Sequence, residues 1–361
     1  MITMKTPIIV DTTDHKWVLL FRILELIRSR EGKQIIAKNG IKPAHKAYSH
    51  LAILILSLFF CNDISYTIQE IEARPRLQEF LKLQSVPKAS TVYRFLSSID
   101  SDKILKMTFD LFRLATSSPH TTPSRNKRRR KTIIIDSTSL SVDLNWNKKS
   151  YSKKQLENEP YRWGYSKSKK YHIGVKLTFA IDQKTLMPLA FNIHPGSPSD
   201  AVLFSEIMEE LKNRRILRKF DKVILDRGYY SYANYALAIQ KYHVIPLITP
   251  KKGFSMKKLE SLLTYSLFWF GTKKGKEKIK QQKDIIAMFK KLMEEPNKIA
   301  EERSVIEDVF KYGKGNFSFD KIHRYTARSL EKIVTLNALL LGLCINWDIS
   351  EKKDLQRMAN S

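Results

Sequence analysis

Apolar and polar residues alternate in two rhythms along this chain, and the change falls near residue 131. Before it, apolar positions recur every three or four residues, the spacing of one helix face. Trp17 to Ile27 and Leu51 to Phe60 follow this rhythm. In "SYTIQEIEARPRLQEFLKL", Ile68 and Ile71 precede Leu77, Phe80 and Leu81, with a break at Pro75, which cannot donate to a preceding turn. In "VPKASTVYRFLSSID", Val92, Phe95, Leu96 and Ile99 form one stripe, and Ser90 is placed to cap the helix. Arg94 lies off that stripe, where it could meet a phosphate. Two short helices joined by a turn suit a helix-turn-helix, and equally an ordinary helical bundle.

Beyond residue 131 the pattern becomes that of strands. "TIIID" is a continuous β-branched run, as expected of a strand buried on both faces. "YHIGVKLTFAID" alternates through Ile173, Val175, Leu177, Phe179 and Ile181. "LMPLAFNIHPG" reads as a third strand, and "SDAVLFSEIMEELKN" as an amphipathic helix capped by Ser199 that buries Val202, Leu203, Ile207 and Leu211. "KVILD" and "HVIPLITP" supply two more strands, with a helix in "SYANYALAIQKY" between them. The order β-β-β-α-β-α-β predicts an α/β fold: a mixed five-stranded sheet with an antiparallel meander first and parallel strands added later. A helix over about 297–313 and a very apolar one over about 324–346 close the pattern.

Charge changes the picture. Lys and Arg number 64 against 36 acids, a formal charge of +28. That excess suits a polyanionic partner, nucleic acid before anionic membrane or acidic protein. Residues 251–296 interrupt the strand pattern with 12 lysines and 5 acids. The stretch "SSPHTTPSRNKRRRK" reads as a basic linker, in which Arg128, Arg129 and Arg130 either meet phosphate or form a solvated run. Two distant cysteines, Cys61 and Cys344, rule out a zinc ribbon or disulfide framework and fit a reducing cytoplasm. The longest apolar runs, Leu51–Phe60 and Ala338–Ile345, fall short of the roughly 20 residues that span a bilayer. The N-terminal residues lack the order of a signal peptide, so a cytoplasmic protein with no membrane partner is expected.

Two of the most apolar strands each end in an aspartate, Asp136 in "IIIDSTSL" and Asp226 in "VILDRGYY". A strand-end aspartate often only caps a turn. Central neighbouring strands, however, bring their ends to within about 5 Å, and two carboxylates there repel unless a cation lies between them. Oxygen ligands of this kind favour Mg²⁺ or Mn²⁺, and two such ions suit phosphoryl transfer. A third acid is available in "EERSVIEDVFKYGKG". Val305, Ile306, Val309 and Phe310 form its apolar face, and Arg303, Glu307 and Lys314 fall together on the helix, offset by about 40° and 20°. Glu301 and Glu302 lie near the helix start and Asp308 is rotated away, so Glu307 is the choice; the plainer reading is an exposed Arg–Glu pair.

This combination resembles the DDE transposases of prokaryotic insertion sequences, of the IS-four and IS-five type. Their Tyr-x2-Arg-x3-Glu-x6-Lys helix is matched by Arg303, Glu307 and Lys314, with Ala300 at the tyrosine position. "IIIDSTSL" is similar to the family's first-aspartate strand. "YHIGVKLTFAID" and "LMPLAFNIHPGSPSD" are similar to its second and third strands, and "VILDRGYYSYANY" to its second-aspartate strand. The resemblance covers residues 131–250 and 297–346. It implies a helical DNA-binding domain over 1–116, a linker over 117–130, an RNase H-like catalytic core over 131–250 and 297–347, an insertion over 251–296 and a polar tail over 348–361. It also implies that Asp136, Asp226 and Glu307 hold two Mg²⁺ or Mn²⁺ ions, and that Arg303 and Lys314 hold phosphates near the cut. The implied partners are double-stranded DNA, as element ends and as target, and a second copy of the chain bound to that DNA. Asp200 reads more readily as a first-turn helix acid. Trp146, Trp163 and Trp269 could stack on an unpaired base, although packing explains each as well. An RNase H-like nuclease that cuts without joining, or a DNA-binding protein that has lost catalysis, remain the other classes; the intact acids argue against the second.

Overall fold

The computed structural model describes residues 11, 14–41, 44–116, 130–143, 154–166, 169–263, 272–317, 319, 321–323 and 327–348. Seven helices come first: α1 (His15–Arg28), α2 (Arg30–Lys38), α3 (Ala44–Phe59), α4 (Ile64–Ala73), α5 (Pro75–Leu81), α6 (Ala89–Ser98) and α7 (Ser101–Thr116). Strand β1 (Thr132–Asp143) is followed by β2 (Arg162–Ser166), β3 (Lys170–Asp182) and β4 (Pro188–Pro195). Then come α8 (Asp200–Asn213), β5 (Lys222–Leu225), α9 (Tyr232–Leu237), β6 (Ile245–Ile248), α10 (Met256–Leu262), α11 (Lys273–Met293), α12 (Pro296–Phe317), β7 (Lys321–His323) and α13 (Ala327–Asp348).

The chain forms two compact units, each discontinuous in sequence: 124–141 with 151–309, and 1–123 with 142–150 and 310–361. The first contains most of a mixed sheet in the order β2-β3-β1-β5-β6, with β4 also paired to β3. β1 runs antiparallel to β3, from Ile133 opposite Asp182 to Ser141 opposite Gly174. β5 lies parallel to the other edge of β1, and β6 parallel to β5. This is the RNase H-like arrangement expected, an antiparallel meander extended by parallel strands. Ile133 to Ile135 and Val223 to Leu225 are buried, because central parallel strands are covered on both faces.

Several local expectations need correction. Among the described residues the sheet has seven strands, not five: β2 and β7 are additional. β2 escapes a period-two reading because Trp163 and Tyr165 remain exposed. On α8 the buried residues are Leu203, Phe204, Ile207, Met208 and Leu211, while Val202 is exposed. Ser199 occupies the cap position of α8, with no hydrogen bond from its side chain. Lys88, not Ser90, precedes the first turn of α6, where no side chain caps either.

The helical unit gathers α1 to α7 and α13. Pro75 opens α5, as a proline at a first helical position should. α13 packs on α7, α1, α3 and α6. Its Lys332 is buried and donates to the carbonyls of Leu96 (2.8 Å) and Ser97 (3.0 Å), satisfying the open C-terminal end of α6. Among the described residues, one helix, Ser329–Trp347, is long and apolar enough to cross a membrane; it is the buried core helix of this unit. The apolar run Ala338–Ile345 is thus part of a longer helix than the run alone suggests. β1 from Val142 onward clusters with the helical unit, as do β7, which pairs with β1, and residues 310–317 of α12. The sequence reading groups 297–347 with the catalytic core; here 310–361 cluster with the N-terminal helices.

Candidate active site

The parallel pairing of β1 and β5 is in register at Ile135 and Leu225. Asp136 and Asp226 each follow by one residue. Both therefore stand on the same face of adjacent strands, about 5 Å apart in the backbone. Asp226 follows the end of β5, but Asp136 does not end its strand as the apolar run suggests: β1 continues to Asp143, and Asp136 lies inside it, opposite Phe179 of β3. Asp226 initiates a tight turn over Arg227–Tyr229.

Asp136 is largely buried. One of its oxygens accepts from the Ser137 amide (2.8 Å), and the other faces Arg303 Nη1 at 3.3 Å. Arg303 Nη2 donates to Glu307 Oε1 at 2.7 Å. The Arg303–Glu307 pair is thus more than a surface pair, because the same guanidinium bridges to the β1 aspartate. Burial pushes the Asp136 carboxyl up to about 7; the Ser137 amide and Arg303 oppose this, and the charges of Asp226 and Asp200 reinforce it. A buried carboxyl that shares its surroundings with two further acids is a place where a cation would be stabilised. Among the described residues, no three His, Cys, Asp or Glu side chains are arranged to hold a metal ion. The guanidinium of Arg303 lies between Asp136 and Glu307.

α12 presents its acids much as its periodicity predicts. Val305, Ile306, Val309 and Phe310 are buried. Glu307 is about half exposed, at 49% for its side chain. Glu301 is exposed near the helix start, and so is Ala300 at the tyrosine position. Lys314 lies farther along α12, in the part that clusters with the helical unit. Arg94 is exposed on α6. Arg130 is exposed, with its guanidinium over the Phe220 ring at 4.8 Å. Arg128, Arg129, Trp146 and Trp269 lie outside the described residues, as do most of the linker and nearly all of the tail.

Sequence reading missed the role of Asp200. The residue does open α8, but its carboxylate accepts from Lys176 Nζ at 2.8 Å and from the Ser137 hydroxyl. The available signal was a lysine inside an otherwise apolar strand, since Lys176 is buried within β3. A second miss is Asp221, fully buried just before β5. It accepts from the amides of Lys131 and Arg218, each at 2.9 Å.

The family model described as "Transposase DDE domain" matches residues 127–343. No curated protein matches the chain.

Proposed function

The chain belongs to the family of transposase DDE domains, and from that premise we propose that it is a DNA transposase of the IS-four and IS-five type, with Asp136, Asp226 and Glu307 as its acids. The observation that carries this reading is the link from Asp136 through Arg303 to Glu307, next to the neighbouring strand end of Asp226. It brings together β1, the residue after β5 and one helix, far apart in sequence.

The donor chemistry fits a hard divalent ion, Mg²⁺ or Mn²⁺: all three groups are carboxylates, and burial together with mutual repulsion raises Asp136. A pair of ions held there would activate the attacking hydroxyl and neutralise charge on the phosphate. The chain's own residues bind and orient the DNA. Arg303, released from the carboxylates, offers a planar pair of donors to a phosphate oxygen. Lys314, Arg94 and the basic stretch of Arg128, Arg129 and Arg130 hold the backbone. The bond cut is the phosphodiester at the element end. The 3′-hydroxyl left by hydrolysis then attacks a target phosphodiester, and two copies of the chain bring two ends together.

The test is cleavage of double-stranded DNA carrying the cognate ends, followed by joining to a target duplex. Activity should require Mg²⁺ or Mn²⁺ and stop with chelator. Glu307→Gln should lose it by orders of magnitude, while Glu301→Gln and Glu302→Gln stay close to the parent. Cleavage unaffected by Glu307→Gln removes that residue from the site, and cutting without joining makes the protein a nuclease.

A further inference from the structure

Asp200 touches both chain segments that carry the strand-end aspartates. Its Oδ1 takes the Ser137 hydroxyl and the Lys176 ammonium, the latter at 2.8 Å. Ser137 follows Asp136 directly, and alternation along β1 turns its side chain to the opposite face of the sheet. Oδ2 of Asp200 packs on Gly228, two residues after Asp226. A Cβ built on Gly228 would lie 2.7 Å from that oxygen, closer than packed atoms allow. Lys176 also donates to the Pro198 carbonyl at 2.8 Å, which fixes the chain entering α8. Lys176 is buried at 8% exposure, so its charge needs a partner, and Asp200 provides it.

Resting on the transposase reading above, we propose that Asp200 is a positioning residue: paired with Lys176, it braces the sheet from behind Asp136 and sets the spacing between the Asp136 and Asp226 carboxylates. A first-turn helix acid needs only solvent and the helix dipole. Asp200 instead directs its oxygens to β1, β3 and the turn after β5. Groups that support metal-binding carboxylates in this way typically govern affinity by about 10- to 100-fold.

The test measures Mn²⁺ binding to the full chain by electron paramagnetic resonance, with melting temperature as a check on folding. Asp200→Asn, of the same shape, should weaken Mn²⁺ binding by about 10- to 100-fold while the protein stays folded. Gly228→Ala, which crowds the same oxygen, should weaken it in the same direction. In an Asp200→Ala background the crowding partner is gone, so adding Gly228→Ala should cost nothing further. Parent affinity in both Asp200→Asn and Gly228→Ala overturns the inference, and so do losses that simply add in the double variant. Should Asp200→Ala not fold, the two single variants decide. Asp136→Asn separates the two claims: if it abolishes Mn²⁺ binding and Asp200→Asn leaves it intact, the acidic site stands and the brace falls. If Asp136→Asn binds Mn²⁺ like the parent, both fall.

Discussion

The two ends of the β1–β5 pair use the same residue type in opposite ways. At the starting end, Asp221 is fully buried, and both its oxygens accept from backbone amides, those of Lys131 and Arg218. At the far end, Asp136 has one amide, that of its own neighbour Ser137, and a side-chain cation, Arg303. Burial pushes both carboxyls up. The difference lies in who compensates: backbone amides tie both oxygens of Asp221 to the fold, whereas one oxygen of Asp136 depends on a side chain, Arg303. One aspartate is locked by the main chain, and the other is not.

The sharpest break of this comparison is by isosteric substitution. Asp136→Asn or Asp226→Asn should lower end cleavage by about 10⁴-fold or more, as for groups that act as a unit, with DNA-end binding retained. Asp221→Ala should instead strand two buried amides and cost about 2–5 kcal/mol in chemical denaturation, with turnover per folded molecule preserved. Loss of turnover in folded Asp221→Ala would merge the two ends into one functional unit. A third test uses pH. The Asp136 carboxyl, raised from 3.8 to about 7, stays protonated in the fold while the unfolded chain ionises. Its contribution to stability is therefore present at low pH and lost as pH rises towards 7. In metal-free protein, the melting-temperature gain of Asp136→Asn over the parent should widen from about pH 4 to about pH 7 and level off above; a gain flat across that range contradicts the assigned shift. The smallest effect concerns the entry to β1. Arg130→Ala should reduce the logarithmic salt slope of DNA binding by about one, if its guanidinium leaves Phe220 for a phosphate. An unchanged slope confines Arg130 to stacking.

Much of this was legible in the chain because the relevant signals are local. "TIIID" and "KVILD" announce buried strands through unbroken apolar runs, and the apolar stripe of α12 announces which side faces the core. Asp136, Asp226 and Glu307 could be named from those patterns and the resemblance they build. What stayed hidden depends on partners distant in sequence. Phe204 and Met208, not Val202, face inward on α8, because a helical stripe of that width leaves its centre ambiguous by one position. β2 was missed because its aromatic residues are exposed where a period-two reading expects burial. The bond between Lys176 and Asp200, and the seat of Asp221 between two amides, cannot be read from spacing; each needs the sheet assembled first.

The buried Lys332 of α13, fastened to the end of α6, has a consequence for how this protein is made. Helices α1 to α7 are completed by α13, a helix made only after all the sheet strands. The unit of residues 124–141 and 151–309 can settle while those helices still lack the partner that covers their apolar faces. A chain cut short before α13 would carry finished sheet strands and an unfinished N-terminal bundle, with the carbonyls of Leu96 and Ser97 uncapped. Loss of α13 should therefore be as damaging to α1 to α7 as to the region from which it is cut.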